Sequence, residues 1–180
     1  MLSIVKMQLY NIRNTSKDDE TITKANDCTE LIGKAINDLR NISHTLNSSY
    51  VSKVGLAEAI EKDFSYIRSA KGLQCTLHRS GQEYPLGNEQ ELLIFRIIQE
   101  AVGNSVKHAS PTTIDIHLDY KPGNFRVVVE DNGKGFDTGT HNEGGIGLTN
   151  MQVRAGLLKG ILEVDSSKDS GTVVRLELPV

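Results

Sequence analysis

The chain has 180 residues, of which 38% are hydrophobic, and its 20 basic and 23 acidic side chains give a net charge of −3 at neutral pH. This length suits one compact domain with a helical appendage, and the weakly acidic balance argues against binding to nucleic acid. We expect no direct membrane contact in this segment, because no apolar run reaches the roughly 20 residues that span a bilayer. We also expect no secretory signal, since the N-terminus is amphipathic.

The first fifty residues have the apolar spacing of coiled-coil helices. On both sides of a short polar break at Asn14–Asp19, apolar side chains recur three and four residues apart, at Leu2, Val5, Leu9, Ile12, Ala25, Cys28, Ile32, Ala35, Leu39, Ile42 and Leu46. These are a and d positions of heptads, and the break predicts an antiparallel helical hairpin over residues 1–50. Because such a hairpin buries its seam incompletely, we expect a homodimer with a four-helix bundle. Packing of the hairpin against the rest of the chain is the alternative.

The two cysteines, Cys28 and Cys75, lie far apart in the sequence and in different predicted segments. They predict reduced, packed thiols rather than a disulfide or a metal site. His117 is predicted to be exposed, because it lies on the strand face opposite the apolar residues of its own strand.

From residue 51 onward, helical and strand patterns interleave. The predicted helices are Val51–Ala70, Glu89–Ala109 and Gly147–Lys159, and the predicted strands are Leu73–Arg79, Thr113–Tyr120, Phe125–Glu130, Ile161–Asp165 and Thr172–Leu178. The second and third strands form a hairpin, because Pro122 and Gly123 between them specify a tight turn. The order predicts a mixed sheet with helices on one face, an α/β sandwich over residues 51–180.

One face of the helix Glu89–Ala109 carries Glu100, Asn104, Lys107 and His108 at three- and four-residue spacing. Magnesium prefers hard oxygen ligands and takes the others from phosphates and water, so the amide oxygen of Asn104 suits this ion. The ammonium group of Lys107 suits a phosphate. A solvated polar face is the alternative, although an Asn inside a helix is mildly unfavourable.

The strand Phe125–Glu130 leads directly into Asp131-Asn132-Gly133-Lys134-Gly135-Phe136. A carboxylate at a strand end can accept a hydrogen bond from an exocyclic amine, as adenine recognition requires. The neighbouring glycines let a flat ligand approach the backbone closely. A glycine-rich turn without a ligand is the alternative.

Two further glycine motifs follow. Gly144–Leu148 precedes a helix, where glycines let phosphate reach unpaired backbone amides, and Gly171-Thr172 leads into the last strand. Each is weak evidence alone. The polar stretch Asp137–Gly144 is predicted to form a mobile lid.

Taken in this order, the motifs resemble the ATP-binding fold of gyrases and histidine kinases, often called the Bergerat fold. Glu100–His108 resembles its N box, Asp131–Phe136 and Gly145–Leu148 its two glycine boxes, and Gly171-Thr172 its closing pair. The run Gln99–Ala109 resembles the sensor kinases whose dimerisation helices are of the third histidine-kinase subtype, the nitrate-sensor and lipid-sensor group. The resemblance covers essentially the whole chain and implies an α+β fold.

The resemblance also implies ATP and Mg²⁺ as cofactors and a role for each motif residue. Asp131 would hydrogen-bond the adenine amino group, Thr172 would lie near the adenine and its bound water, and Asn104 would ligate the ion. Lys107 and His108 would contact phosphate oxygens. Gly133 and Gly135 would lie against the base and ribose, and Gly145 and Gly147 would belong to the lid. The implied ATP-binding set is Asn104, Lys107, His108, Asp131, Gly133, Gly135, Gly145, Gly147 and Thr172.

Glu100 is implied as the candidate catalytic base or water-orienting residue, and in kinases this role is one of positioning. Phosphoryl transfer needs mainly charge neutralisation and alignment, which agrees with the implied roles.

His44 falls at an outward f position of the second predicted helix, where exposure would suit a phosphoacceptor. In the resembled subtype, however, the acceptor histidine lies on the first helix and is followed by an aspartate. Leu2–Leu9 resembles the stretch just after that motif. We therefore expect the acceptor about one to two helical turns before Met1. The chain would then be a truncated cytoplasmic part of a sensor kinase that binds ATP and dimerises but does not autophosphorylate by itself.

Three functions fit these expectations. The favoured one is the catalytic core of a two-component histidine kinase, with a response regulator as partner. The second is a protein-serine kinase of the anti-sigma-factor type, against which the N-terminal heptads argue. The third is a non-catalytic ATP-sensing dimer, in which nucleotide only orders the lid.

Overall fold

A computed structural model of the chain describes residues 12, 15, 18, 20–29, 32–33, 48–137 and 146–180. The chain divides into two compact units, residues 1–48 and 49–180. In the first unit, residues 20–29 are helical, and the carboxylate of Asp18 accepts a hydrogen bond of 3.0 Å from the backbone N–H of Thr21 at the start of this helix. Most of the predicted hairpin lies outside the described residues, His44 included, so the four-helix bundle stays a prediction.

The prediction of two packed thiols is confirmed for Cys75. Both cysteines are free; Cys75 is buried, whereas Cys28 is exposed although Ala25, one turn earlier, is buried. A heptad position is covered only when another helix packs over it, so packing of Cys28 depends on the predicted four-helix bundle. Burial raises the pKa of the Cys75 thiol, which favours its protonated form over the nucleophilic thiolate.

The described residues of the second unit form ten elements, which we number in chain order. They are α1 (Ser48–Val54), α2 (Leu56–Lys71), β1 (Gln74–Gly81), α3 (Asn88–Asn104), a π-helix (Ser105–Ala109), β2 (Thr113–Lys121), β3 (Asn124–Asp131), α4 (Ile146–Leu157), β4 (Ile161–Ser166) and β5 (Thr172–Pro179).

The five strands form one sheet in the order β1-β2-β3-β5-β4. β1 and β2 are parallel and the other neighbours are antiparallel, so the predicted mixed sheet is confirmed. The chain reaches β2 from β1 through α3, as a parallel connection requires.

Buried and exposed side chains alternate along the strands, so the sheet has a core face and an outer face. In β2, Ile114, Ile116 and Leu118 are fully buried, and they belong to one core cluster with residues of α2, α3 and α4. His117 is exposed on the outer face as predicted, where its ring stacks on that of His78 with centroids 4.5 Å apart. The predicted α+β class, a sheet with helices on one face, is confirmed.

The predicted helix Val51–Ala70 is interrupted near its start. Gly55 has a φ of +86° and separates α1 from α2. Its N–H donates to Val51 O at 2.7 Å and its carbonyl accepts from Ala59 N at 3.1 Å, so the chain turns without losing these bonds.

Within the described part of the chain, no helix is both long enough and apolar enough to cross a membrane.

Candidate functional site

A cavity of about 900 Å³ lies between the helix layer and the sheet. Its walls come from the end of α3, the π-helix, the segment after β3, the start of α4, and the inner faces of β4 and β5. Seven of the residues predicted from sequence line it: Asn104, Lys107, His108, Asp131, Gly135, Gly147 and Thr172.

The other three predicted residues, Gly145, Gly133 and Glu100, are not among the residues that line the cavity. Gly145 lies outside the described residues, as does the predicted lid apart from Asp137. Gly133 does not line the cavity, because it packs behind the wall: a Cβ there would lie 2.5 Å from both Cβ and O of Ala109. Glu100 is not part of the lining, but its carboxylate contacts the position that a Cβ on Gly147 would take.

Asp131 is the last residue of β3 and is only 5% exposed. Its Oδ2 accepts a hydrogen bond of 2.6 Å from Ser105 Oγ, and its Oδ1 accepts one of 2.8 Å from the backbone N–H of Gly133. Both oxygens of a buried carboxylate are therefore held by the protein, and the cavity lies in front of them.

Thr172 pairs with Asp131 in the register of β5 on β3 and brings a hydroxyl to the same end of the cavity. Ser166 Oγ donates to Gly171 O at 2.8 Å and lies 3.1 Å from Thr172 Oγ1. A serine hydroxyl has one proton and a carbonyl only accepts, so Thr172 is the donor to Ser166. The lone pairs of Thr172 remain available to a ligand.

Gly147 lies in the first turn of α4. A Cβ on this residue would collide with Glu100 Oε1 and come within 3.3 Å of Asn104 Nδ2. At this position the backbone of α4 lies against the two polar side chains of α3. The assignment of Gly147 to a mobile lid stays a prediction.

Another part of the cavity lining, which we call the cationic end, carries basic side chains that are exposed to solvent. Lys107 and His108 of the π-helix line it and are exposed, and Lys134 joins them from the segment after β3. Segments of π-helix occur frequently at functional sites, and the residue after this one, Ser110, lies in the left-handed region with φ +49°.

Sequence reasoning missed Ser105 and Lys134, as well as the apolar wall formed by Leu162 and Val164 of β4. Ser105 lies off the three-and-four spacing that selected the polar face of α3. A signal was present, because a serine inside a helix commonly bonds back to the carbonyl four residues earlier, and Ser105 Oγ lies 3.1 Å from Ala101 O.

The donor set limits which metal fits. No group of three or more His, Cys, Asp or Glu side chains in the described ranges is arranged to hold an ion. An ion at this site would take the Asn104 oxygen from the protein and its other ligands from a bound phosphate and from water, which is the coordination typical of magnesium.

A mixed sheet, helices on one face and a cavity with an acidic buried end and a cationic open end define an α+β ligand-binding domain. The profile of the histidine kinase-, DNA gyrase B-, and HSP90-like ATPase family matches residues 89–180, which include both ends of the cavity. The chain belongs to this ATPase family, and ATP is the ligand that the family implies.

Relatives with similar sequences carry histidine-kinase names. The chain is 30% identical over 177 residues to the oxygen sensor histidine kinase NreB of Staphylococcus carnosus (strain TM300), which covers 98% of this chain and 51% of NreB. It is 27% identical over 162 residues to the signal transduction histidine-protein kinase/phosphatase DegS of Brevibacillus brevis, covering 90% of this chain and 42% of DegS. The chain therefore spans about half the length of these relatives or less.

Solved structures agree on the fold. The histidine kinase domain of the blue-light activated histidine kinase from Erythrobacter litoralis EL346 superposes with a TM-score of 0.64 at 17% identity, covering 99% of this chain and 93% of that one.

Proposed function

We propose that this chain is the ATP-binding and dimerisation core of a sensor histidine kinase, belonging to the subtype whose dimerisation helices are of the third kind. The observation that supports this most is the Asp131 carboxylate, buried and held at both oxygens in a cavity whose other end carries Lys107 and His108. The relatives named above carry histidine-kinase names, which favours this function over a serine kinase or a non-catalytic ATP sensor.

In the proposed complex, the amino group of adenine donates to Asp131. The base lies between the apolar side chains of β4 and the segment that contains Gly135, and Thr172 accepts from the base or from a bridging water. The triphosphate extends toward the π-helix, where the ammonium group of Lys107 neutralises part of its charge and His108 contacts a phosphate oxygen. This orientation places the flat, apolar part of the nucleotide at the buried end and the anionic part at the exposed end.

Magnesium would be held by Asn104 together with the phosphates and water. When bound, the ion neutralises charge on the phosphate oxygens as the γ-phosphoryl group is transferred. Glu100 lies one helical turn before Asn104 and contacts the same turn of α4, so we assign it a positioning role rather than the activation of a water molecule.

The reaction proposed for the full protein breaks the bond between the γ-phosphorus and the β–γ bridging oxygen of ATP, and releases ADP. A bond forms between that phosphorus and an imidazole nitrogen, and the phosphoryl group then passes to an aspartate of a response regulator. Residues 1–50 would pair two copies of the chain. The acceptor histidine is proposed to be one other than His44.

The first test is calorimetric titration of Mg-ATP into the chain and into Asp131→Asn and Asn104→Ala variants. We expect saturable binding for the parent chain. The affinity of Asp131→Asn should be about 100-fold lower, because a charge-assisted hydrogen bond is replaced by a facing N–H group. Binding to Asn104→Ala should no longer depend on magnesium. Absence of binding by a folded parent chain would contradict the proposal. Undiminished affinity of Asp131→Asn would contradict the assigned orientation of the base.

A further inference from the structure

We propose that Ser105 is a positioning residue that aims the Asp131 carboxylate, and that it thereby sets the preference of the cavity for purine nucleotides with a 6-amino group. The inference rests on the proposed nucleotide site and concerns how that site reads the base. Ser105 is 6% exposed, begins the π-helix and lines the cavity beside Asp131.

The single proton of the Ser105 hydroxyl has two acceptors in reach. Oγ lies 2.6 Å from Asp131 Oδ2 and 3.1 Å from Ala101 O. Hydrogen bonds to an ionised carboxylate are shorter and about twice as strong as those between neutral groups, so the proton points to Asp131. With the backbone N–H of Gly133 on the other oxygen, the plane of the carboxylate is fixed from both sides.

The hydroxyl protons of Ser105 and Thr172 and the N–H of Gly133 are each engaged by an acceptor of the protein. The oxygens of Ser105, Asp131 and Thr172, which line the cavity, are therefore left as acceptors for a ligand. A 6-amino purine offers N–H groups to this surface. A 6-oxo purine presents an oxygen to the same acceptors, and polar groups left unpaired in a buried site are strongly unfavourable.

Without the serine hydroxyl, Asp131 would keep only its hydrogen bond from Gly133. The carboxylate could then rotate about its terminal torsion, which has a broad energy profile, and take a water molecule in place of Ser105. The direct contact with a 6-amino group would weaken, and so would the rejection of a 6-oxo group. Contacts with the ribose and phosphates, which lie elsewhere in the cavity, would not change.

The test compares the binding of Mg-ATP and Mg-ITP by calorimetry, because these ligands share ribose and phosphates and differ at position 6 of the base. The variants are Ser105→Ala and Ser105→Cys, which is close in size to serine but has a weak donor. Ser69→Ala, on the exposed surface of α2, is the control. Far-UV circular dichroism reports whether each variant is folded. If Ser105→Ala is unfolded, the comparison is made with Ser105→Cys.

For Ser105→Ala and Ser105→Cys we expect about tenfold weaker binding of ATP, as for the loss of one hydrogen bond to a charged group. We expect ITP binding within about twofold of the parent chain, so that the ATP:ITP preference falls. Unchanged ATP affinity, or an equal loss for both ligands, would overturn the role of Ser105 while leaving the nucleotide site intact. A parent chain that binds neither ligand would overturn the proposed function and this inference together.

Discussion

At one end of the cavity the polar groups are buried and bonded to one another, whereas at the other end the charged side chains extend into solvent. Asp131 is held by Ser105 and Gly133, and Thr172 by Ser166. Lys107 and His108 are exposed. Buried hydrogen bonds fix direction, while exposed charges attract an anion but hold it loosely. We therefore expect the buried end to select the ligand and the cationic end to add affinity.

The largest effect is expected from a change behind the buried end. Gly171 has φ +75°, and a Cβ on it would collide with the backbone carbonyl of Asp131. Gly171→Ala should therefore reduce the free energy of unfolding by about 3 kcal/mol and abolish ATP binding, as measured by urea denaturation and calorimetry.

Gly123 provides the matched control for this change. Its φ is +76°, but nothing lies within 4 Å of an added Cβ. Gly123→Ala should cost only the left-handed backbone strain, about 1 kcal/mol, and leave ATP binding intact. Equal losses for the two variants would show that strain alone, and not the contact with Asp131, explains the sensitivity of Gly171.

A smaller effect is expected between the two ends, where α4 meets α3. The Cβ introduced by Gly147→Ala would push against the end of the flexible Glu100 side chain and approach Asn104. The free energy of unfolding should change by less than about 1 kcal/mol, because alanine favours a helix. Affinity for Mg-ATP should fall about tenfold, equivalent to about 1.4 kcal/mol, while affinity for metal-free ATP changes less.

Gly156 lies in the same helix with open space around it. Gly156→Ala should stabilise the chain by about 0.5–1 kcal/mol without altering binding. Should Gly147→Ala behave like Gly156→Ala in calorimetry, the contact with Glu100 and Asn104 would have no part in holding the magnesium–nucleotide complex.

The smallest effect is expected at the exposed end. Lys107→Gln should weaken ATP binding about fivefold at low salt, and the difference should shrink at high salt because exposed charges are screened. Lys71→Gln, which removes a lysine outside the cavity lining, is the control. ATP affinity is measured by titration at two ionic strengths. An affinity loss for Lys107→Gln that does not depend on salt would contradict the expectation that this end acts through exposed charge.

Much of the fold was predictable from the sequence because inward-facing apolar residues define the strands. β2, β3, β4 and β5 lie within two residues of their predicted ends. The interruption at Gly55 was not predicted, since apolar spacing is similar on both sides of it and only the backbone conformation distinguishes them.

The site was predictable where a motif residue faces the cavity directly, as Asp131 and Asn104 do. It was not predictable where a residue acts through a neighbour distant in the sequence. Ser105 meets Asp131 across 26 positions, and the contact of Gly147 with Glu100 forms only when α4 packs on α3. Spacing within one helix carries no information about either contact.

The pairing of β3 with its neighbours has a consequence for how this domain can change in length. Asp131 faces the cavity because it continues the alternation that also buries Val127 and Val129, in register with Ile114 on one side and Thr172 on the other. One residue inserted within β3 would turn the carboxylate to the outer face of the sheet. An insertion at Pro122 or Gly123 would lengthen only the turn. We therefore expect insertions to be tolerated at the turn of the β2–β3 hairpin, far from Asp131. The number of residues between that turn and Asp131 is as strictly constrained as the identity of Asp131.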